Sequence, residues 1–499
     1  MSFYLVAFLV FSVALLYFRT TSTRLRYKGL PYPPGPKPEF LIGNARHLPL
    51  DQAWLVYTEW KEKYGDIIHL SALGDHIVVV NSYQTAHELM GQRSIYSDRP
   101  TLTMVGELIG WNRLVSLHQC DDAWRKARKL IHSAMSKGAS QQYWPVQQRE
   151  ARVLLQQLSD DPGNYLQHMQ LMVAKVIMTT TYGIKVKSYQ DRYLSMIKTT
   201  TDTINKVFLP GSVYVDVLPI LKYVPAWFPG AQFKRNAAEW RLLSEEMVNK
   251  PFEHVVNAMA TGTAPPSFTS DAILAGTHDE DEVKWISANM YIAGADTTTA
   301  TLAIFFLAMV LHPEVLERAH AEIDSVVGTQ RLPTFQDRDS LPYVDCILKE
   351  VLRWIPVVPL SVPHRLAQDD EYRGYHIPGG SLILPNVWAM TRDQSVYNEP
   401  EKFLPERYEG EGGGDLDPRL YVFGFGRRKC AGLHFGENTL WINIVSILAA
   451  FDIKPALDEH GREITPEIAF TPGLVSHITP FQCDIKPRTS AFAALVQAG

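Results

Sequence analysis

The sequence predicts a mainly α protein with a small β-rich subregion, built as one large catalytic-sized domain behind an N-terminal transmembrane helix. Three observations carry that expectation. Apolar residues recur at three- and four-residue spacing behind polar starts over residues 121–135, 240–258, 281–311 and 313–327, the period of helices with a buried face. Strand-like patches are few and short, at 67–70, 76–80 and 381–384. After residue 40 no Gly/Ser-rich linker or run of like charge divides the 499 residues, so the length prior of about two or three domains gives way to a single large one.

Composition narrows the class further. With 46% hydrophobic and 20% charged residues, the chain has ample material for a core and too little charge for disorder. Forty-eight basic against 53 acidic side chains leave a net charge of −5, which argues against a nucleic-acid binder relying on broad phosphate neutralisation. A local basic patch remains compatible with that balance. Cys120, Cys346, Cys430 and Cys483 are far apart with no C-x-x-C pair, so neither a zinc ribbon nor a disulfide scaffold is supported, and a reducing, cytosol-facing compartment fits.

Taken in order, residues 1–20 form the expected anchor. Residues 3–18 (FYLVAFLVFSVALLYF) carry no charge, and a helix of roughly 16 to 20 residues just spans the ~30 Å hydrocarbon core. A cleaved secretory signal is the competing reading, but no basic segment precedes the apolar run and no A-x-A-like site follows it. Arg19, Arg24, Arg26 and Lys28 all follow the run, which places the rest of the chain in the cytosol. Residues 21–38 are a basic, proline-rich hinge ending in PYPPGPKP, stiff and extended because proline fixes φ and removes backbone donors. A proline-rich partner ligand is the alternative. Residues 39–499 form the body, with a loop by composition at 408–418 (YEGEGGGDLDP) and no internal repeat.

Within the body the strongest local signal is FGFGRRKCAG at 423–432. A metal-binding thiolate needs donors around its charge and shelter from water, and a glycine-bearing loop exposes backbone N–H groups around Cys430. Phe423 can shield the sulfur, and the cation of Arg428 suits a carboxylate such as a haem propionate. The plain alternative is an inert buried cysteine. A dinucleotide loop is another, but Lys429 stands at the third glycine position of G-x-G-x-x-G and only about 70 residues remain for such a fold.

This decapeptide resembles the haem-binding loop of the cytochrome P450 superfamily, F-x-x-G-x-R-x-C-x-G, matched at Phe423, Gly426, Arg428, Cys430 and Gly432. Three further motifs agree in order and spacing, so the resemblance runs from about residue 31 to 488 and implies the cytochrome P450 fold. It makes Cys430 the axial ligand of heme b. On the long apolar helix, AGADTT at 293–298 sets Ala293 with Thr297, and Gly294 with Thr298, on shared faces, leaving a notch beside a hydroxyl. Taken alone, such a notch is as consistent with close helix packing. The family resemblance implies instead that Asp296 and Thr297 are an acid and alcohol pair delivering protons to bound dioxygen. Glu350 and Arg353, three apart on a helix face, with Arg407 some fifty residues on, match a buried structural network behind the haem loop. Alone, such a pair is an ordinary surface ion pair. Trp124 and Arg128 match a W-x-x-x-R motif that donates to a haem propionate, against the alternative of a plain amphipathic surface helix. His364 occupies a position that contacts the other propionate in relatives, with Arg365 able to serve instead.

The resemblance implies a haem-dependent monooxygenase, in which a thiolate ligand favours O–O cleavage and one oxygen atom enters a C–H bond of a hydrophobic small molecule. No flavin or nicotinamide fingerprint is present, so electrons come from NADPH through a separate flavoprotein reductase, for which Arg125, Lys126, Lys129, Arg427 and Lys429 offer a basic docking face. The aromatic and basic stretch 221–235 suits a membrane interface, with Trp227 and Phe228 dipping into the bilayer, or else core packing. That stretch resembles its counterpart in mushroom members that tailor secondary metabolites. Residues 96–115, Met290, Ala293, 357–362 and 472–475 are the implied substrate pocket, mostly apolar, fitting a terpenoid or an aromatic polyketide or indole. The expected location is the endoplasmic reticulum membrane, single-pass. A haem-thiolate isomerase or dehydratase, which needs no external electrons and in relatives usually lacks the acid and alcohol pair, and a non-catalytic haem sensor are the competing classes.

Overall fold

The computed structural model describes residues 29–208, 213–410 and 414–498. The expected anchor at 1–20 and residues 21–28 of the hinge, with Arg19, Arg24, Arg26 and Lys28, lie outside the described residues.

Ten helices of twelve residues or more are present among the described residues: α1 Ala53–Tyr64, α2 Asp122–Met135, α3 Trp144–Asp160, α4 Tyr165–Tyr182, α5 Arg192–Val207, α6 Gln232–Ala260, α7 Glu280–Leu311, α8 Pro313–Val326, α9 Pro342–Trp354 and α10 Leu433–Ala450. Nine short strands complete the set: β1 Ile67–Ala72, β2 Asp75–Val80, β3 His364–Arg365, β4 Asp370–Tyr372, β5 Tyr375–Ile377, β6 Leu382–Pro385, β7 Phe451–Leu457, β8 Glu463–Ile464 and β9 Cys483–Pro487. The four periodic segments named from sequence correspond to α2, α6, α7 and α8, and the three strand-like patches to β1, β2 and β6. α6 extends eight residues further toward its N-terminus than its apolar period suggests.

The centre of the molecule is α7. Asp279 caps it by accepting from the Glu282 N–H at 2.7 Å, and Glu280, Asp281 and Glu282 place negative charge on its first turn, where the helix dipole favours anions. From residue 302 to 310 every side chain is buried. A helix apolar all round is either a membrane span or the axis of a large core. By length and composition α7 could cross a bilayer, but it is packed against α4, α6, α9 and α10 inside the main hydrophobic cluster, so it is the core axis.

The strands lie to one side. β1 and β2 form a hairpin turning through Leu73 and Gly74, both at positive φ, the geometry a tight two-residue hairpin requires. β6 joins β2 in parallel and β3 joins β6 antiparallel, giving the order β1-β2-β6-β3. The described end of the proline-rich hinge is strapped along this region. The carbonyls of Pro34 and Pro31 accept from the His69 and His376 N–H groups at 3.0 and 2.8 Å, and the Tyr32 ring stacks on His69 with 4.6 Å between centroids. Prolines cannot donate, but their carbonyls still bind the body.

Candidate active site

Cys430 lies in a loop ending at the start of α10. Its N–H donates to the Phe423 carbonyl at 2.7 Å, closing the loop on itself. Gly424 and Gly426 have φ of +81° and +48°, conformations that favour glycine. A Cβ on Gly426 would stand 2.3 Å from the Met90 carbonyl oxygen, so the loop is pressed against the helical turn at residues 87–91. Gly432 differs: its φ is −89° and a Cβ there would meet nothing, so open space lies beside it. Burial pushes the Cys430 thiol up, while the Gly432 N–H, Arg128 and Lys429 pull it down. The side chain is nonetheless open. A thiol desolvated by its surroundings and still accessible faces an internal groove rather than the outer surface.

Around that loop the structure gathers cations. Trp124 follows Asp121, which caps α2 by accepting its N–H at 2.8 Å, and the Trp124 ring lies 4.3 Å beneath the Arg428 guanidinium. Arg128, on the same face, donates to the Lys429 carbonyl, tying α2 to the loop. Arg428 is buried and donates to the carbonyls of Ser97 and His118 at 2.6 Å; burial holds its pKa down to about 10. Arg99, which lies in the 96–115 segment expected to line the substrate pocket but was not among the residues expected to hold haem, is 4% exposed. It donates to the carbonyls of Ser116, Val362 and Pro363 at 2.7–2.9 Å. His364 is buried with Nδ1 2.8 Å from the Tyr96 carbonyl, whereas Arg365, the next residue along β3, is exposed. Between the two alternatives, His364 is therefore the inward one. Burial lowers Arg99 and His364, and each also feels a neighbouring guanidinium, Arg428 on Arg99 and Arg99 on His364.

Among the described residues, Arg99, Arg428 and His364 have no hydrogen-bonded carboxylate. Two guanidinium groups and an imidazole closed into one region ask for an anion. An open thiol, an uncrowded glycine beside it and a carboxylate-seeking cationic set fit a haem, whose iron takes a thiolate and whose propionates take cations. Trp124, Arg128, His364 and Arg428 stand around this region, and Arg128 and Arg428 hold backbone carbonyls, a structural task the motifs do not disclose.

The 293–298 notch divides into two. A Cβ on Gly294 would approach Ile177 Cδ1 to 3.0 Å, so Gly294 serves the packing of α7 on α4, and Thr298 is buried. Ala293 is exposed in the middle of this helix and Thr297 partly so. Thr297 Oγ1 donates to the Ala293 carbonyl at 2.9 Å. Close packing thus explains Gly294, and the open face belongs to Ala293 and Thr297. Asp296 has a partner that the sequence does not reveal: His477 Nε2 stands 3.2 Å from its Oδ1.

Glu350, Arg353 and Arg407 meet. Arg353 grips Glu350 through two bonds of 2.8 Å, and Arg407 Nε donates to Glu350 Oε1 at 3.1 Å. Neither Glu350 nor Arg353 has any exposed side-chain surface. Asp415 supplies a second carboxylate to Arg407 at 2.9 Å, so two guanidiniums face two carboxylates. Arg353 also donates to the carbonyls of Thr391, Pro400 and Lys402, pinning the segment after α9 behind the loop.

The four segments expected to line a pocket converge. Arg99 joins 96–115 to 357–362 through the Val362 carbonyl; Ser116, next after the first segment, donates its N–H to Asn289 on α7 at 3.0 Å, and Ser476, next after the last, donates its N–H to the Val357 carbonyl at 2.8 Å. On the outside, Arg125, Lys126, Lys129 and Arg427 are exposed and Lys429 is half-buried, with Arg125 paired to Asp122. Trp227 and Phe228 are 79% and 49% exposed, which rules out core packing for them.

Residues 33–484 match the family model described as Cytochrome P450. Cytochrome P450 monooxygenase 176 of Postia placenta is 41% identical, covering 93% of this chain and 92% of that protein. Cytochrome P450 monooxygenase claR of Ampulloclitocybe clavipes is 40% identical over 93% and 88%, and COX2 of Coprinopsis cinerea, also named a cytochrome P450 monooxygenase, 38% over 94% and 92%. The chain belongs to the cytochrome P450 family. Its enzyme class is that of the monooxygenases, with haem held by a cysteine thiolate as the family's cofactor.

Proposed function

We propose that this protein hydroxylates a hydrophobic small molecule, of the terpenoid class, in fungal secondary metabolism, using electrons from NADPH delivered by a flavoprotein reductase. The observation that carries the catalytic part is the accessible, internally placed thiol of Cys430 beside the buried Arg99 and Arg428, which have no hydrogen-bonded carboxylate among the described residues. Arg99, Arg428, His364, Trp124 and Arg128 would hold the propionates. Haem bound there through Cys430 supplies dioxygen activation and oxygen insertion into an unactivated C–H bond. The chain's own residues do the rest. Asp296 and Thr297 move protons at the carboxylate and Oγ1, on the open face of α7. Met104, Val105, Met290, Leu360 and Val475 are buried apolar side chains from the converging segments, suited to holding an apolar substrate and excluding water. The relatives named above are monooxygenases from fungi, which supports the fungal part of this reading.

The same proposal includes residues 1–20 as a single-pass anchor in the endoplasmic reticulum membrane with the body on the cytosolic side. Exposed Tyr214, Ile220, Tyr223, Trp227 and Phe228 support a second membrane contact. Arg125, Lys126, Lys129, Arg427 and Lys429 sit on α2 and the Cys430 loop, which Arg128 joins, and suit an acidic face on the reductase. The test is co-expression with such a reductase and a panel of terpenoid and aromatic candidates under ¹⁸O₂, read by mass spectrometry. A terpenoid product carrying one labelled oxygen, dependent on NADPH, is the expected result. Product formed from a hydroperoxide alone, without NADPH, would reject it in favour of isomerase chemistry.

A further inference from the structure

His477 is held in place by its own backbone: its N–H donates to Thr471 Oγ1 at 3.0 Å, and its carbonyl accepts the Thr471 N–H at 2.8 Å. This clip presents the imidazole to α7, where Nε2 lies 3.2 Å from Asp296 Oδ1 and 3.4 Å from Oδ2. Both side chains line a cleft of about 690 Å³ between α4, α5, α7 and the 471–480 segment. The other charged groups facing that cleft are Asp202, Lys198 and Lys206, all on α5. A third of the His477 side chain is open; the remainder is enclosed. Burial acts to lower its pKa, but the hydrogen bond and charge of Asp296, with the charge of Asp202, outweigh it and leave the imidazole above its ordinary value.

The placement on α7 matters. The cleft runs along Ala295, Asp296, Thr299, Ala300 and Ala303, while a second open stripe of the helix is Ala293 and Thr297. Successive helical residues are about 100° apart, so Asp296 borders both stripes and is adjacent in sequence to Thr297. It lines the cleft beside His477 and is next in sequence to the relay hydroxyl.

We propose that His477 is a positioning residue for proton delivery, aiming the Asp296 carboxylate and reloading it from the cleft. In each transfer the Nε2–H bond of an imidazolium breaks as an O–H bond forms on Asp296, and the neutral imidazole takes a replacement proton from cleft water. This rests on reading Asp296 and Thr297 as the relay.

The test uses the holoenzyme. Histidine NMR of the diamagnetic ferrous carbon monoxide form, assigned by loss of the signal in His477→Gln, gives the His477 titration directly. The expected midpoint is above the ordinary imidazole value and falls in Asp296→Asn. With reductase and NADPH, oxygen uptake by the wild type is expected to fall on the alkaline side as His477 loses its proton. His477→Gln keeps an N–H donor but carries no exchangeable charge. It is expected to slow uptake about tenfold, less than the roughly 10²–10⁴-fold of a group that is itself the general acid or base, because His477 acts through Asp296; it is also expected to raise the peroxide share and to flatten the alkaline limb, with the carbon monoxide spectrum unchanged. An ordinary midpoint indifferent to Asp296→Asn overturns the proposal, as does a wild-type pH profile in His477→Gln. If His477→Gln fails to fold, a His477→Asn variant serves for assignment and the titration in wild type and Asp296→Asn decides. Thr297→Ala separates the two levels. If it leaves the peroxide share unchanged, the relay reading itself fails; if it raises that share and His477→Gln does not, only the role of His477 fails.

Discussion

At the scale of single residues, Cys430 and Gly426 make opposite kinds of demand. Cys430 supplies a ligand atom, so Cys430→Ala is expected to fold and yet lose the red-shifted Soret band of the reduced carbon monoxide complex, as an absorbance spectrum will show. Gly426 supplies the lack of an atom. Its φ of +48° and the 2.3 Å approach of a Cβ to the Met90 carbonyl make Gly426→Ala strained on two counts, and a loss of about 1–3 kcal/mol with reduced haem retention is expected from thermal unfolding and spectra. Both residues were legible in the sequence because the motif that carries them is contiguous, although what Gly426 is pressed against, Met90, is distant in the chain. Arg99 and His477 were not. Arg99 makes its contacts with residues 116, 362 and 363, and His477 with residue 296. Partnerships of that span leave no spacing signature.

The elements show the same division between local and distant causes. The period of α2, α6, α7 and α8 is written along each segment, and so they were readable, whereas β7 and β9 pair with each other across some thirty residues and each contains a proline that weakens any strand pattern. Gly294 illustrates a motif residue whose role belongs to the element. Its closeness to Ile177 predicts that Gly294→Leu overpacks the α4–α7 contact and costs about 1–3 kcal/mol, with Ile177→Ala restoring part of the loss in a double-mutant cycle. The Glu350 network operates between elements, joining α9 to residues 391–415. Glu350→Gln leaves Arg353 and Arg407 with one buried carboxylate fewer, and a destabilisation of about 3–5 kcal/mol is expected in chemical denaturation. The sequence offered the three residues and their burial by family resemblance; the Asp415 partner and the carbonyls that Arg353 holds came only from the fold.

For the whole molecule, the exposed aromatic segment and the basic face make separable predictions. Trp227→Ser with Phe228→Ser is expected to weaken binding of the body, freed of residues 1–20, to lipid vesicles by about tenfold or more, given that burying one large apolar side chain is worth roughly 1.5–3 kcal/mol. Charge reversal at Lys126, Lys129 and Arg427 is expected to raise the KM for reductase and lessen its salt dependence, leaving the carbon monoxide spectrum intact. Fold class was legible because one uninterrupted core needs no linker; the way the hinge lies against the sheet was not, since it depends on carbonyls that every residue possesses. The enclosed Arg99 and Arg428 have a consequence for biogenesis. A chain that closes around positive groups before their counter-ion arrives traps repulsion, so completing the fold and capturing the porphyrin become a single event. Cells short of porphyrin should therefore accumulate degraded polypeptide rather than a stable colourless protein.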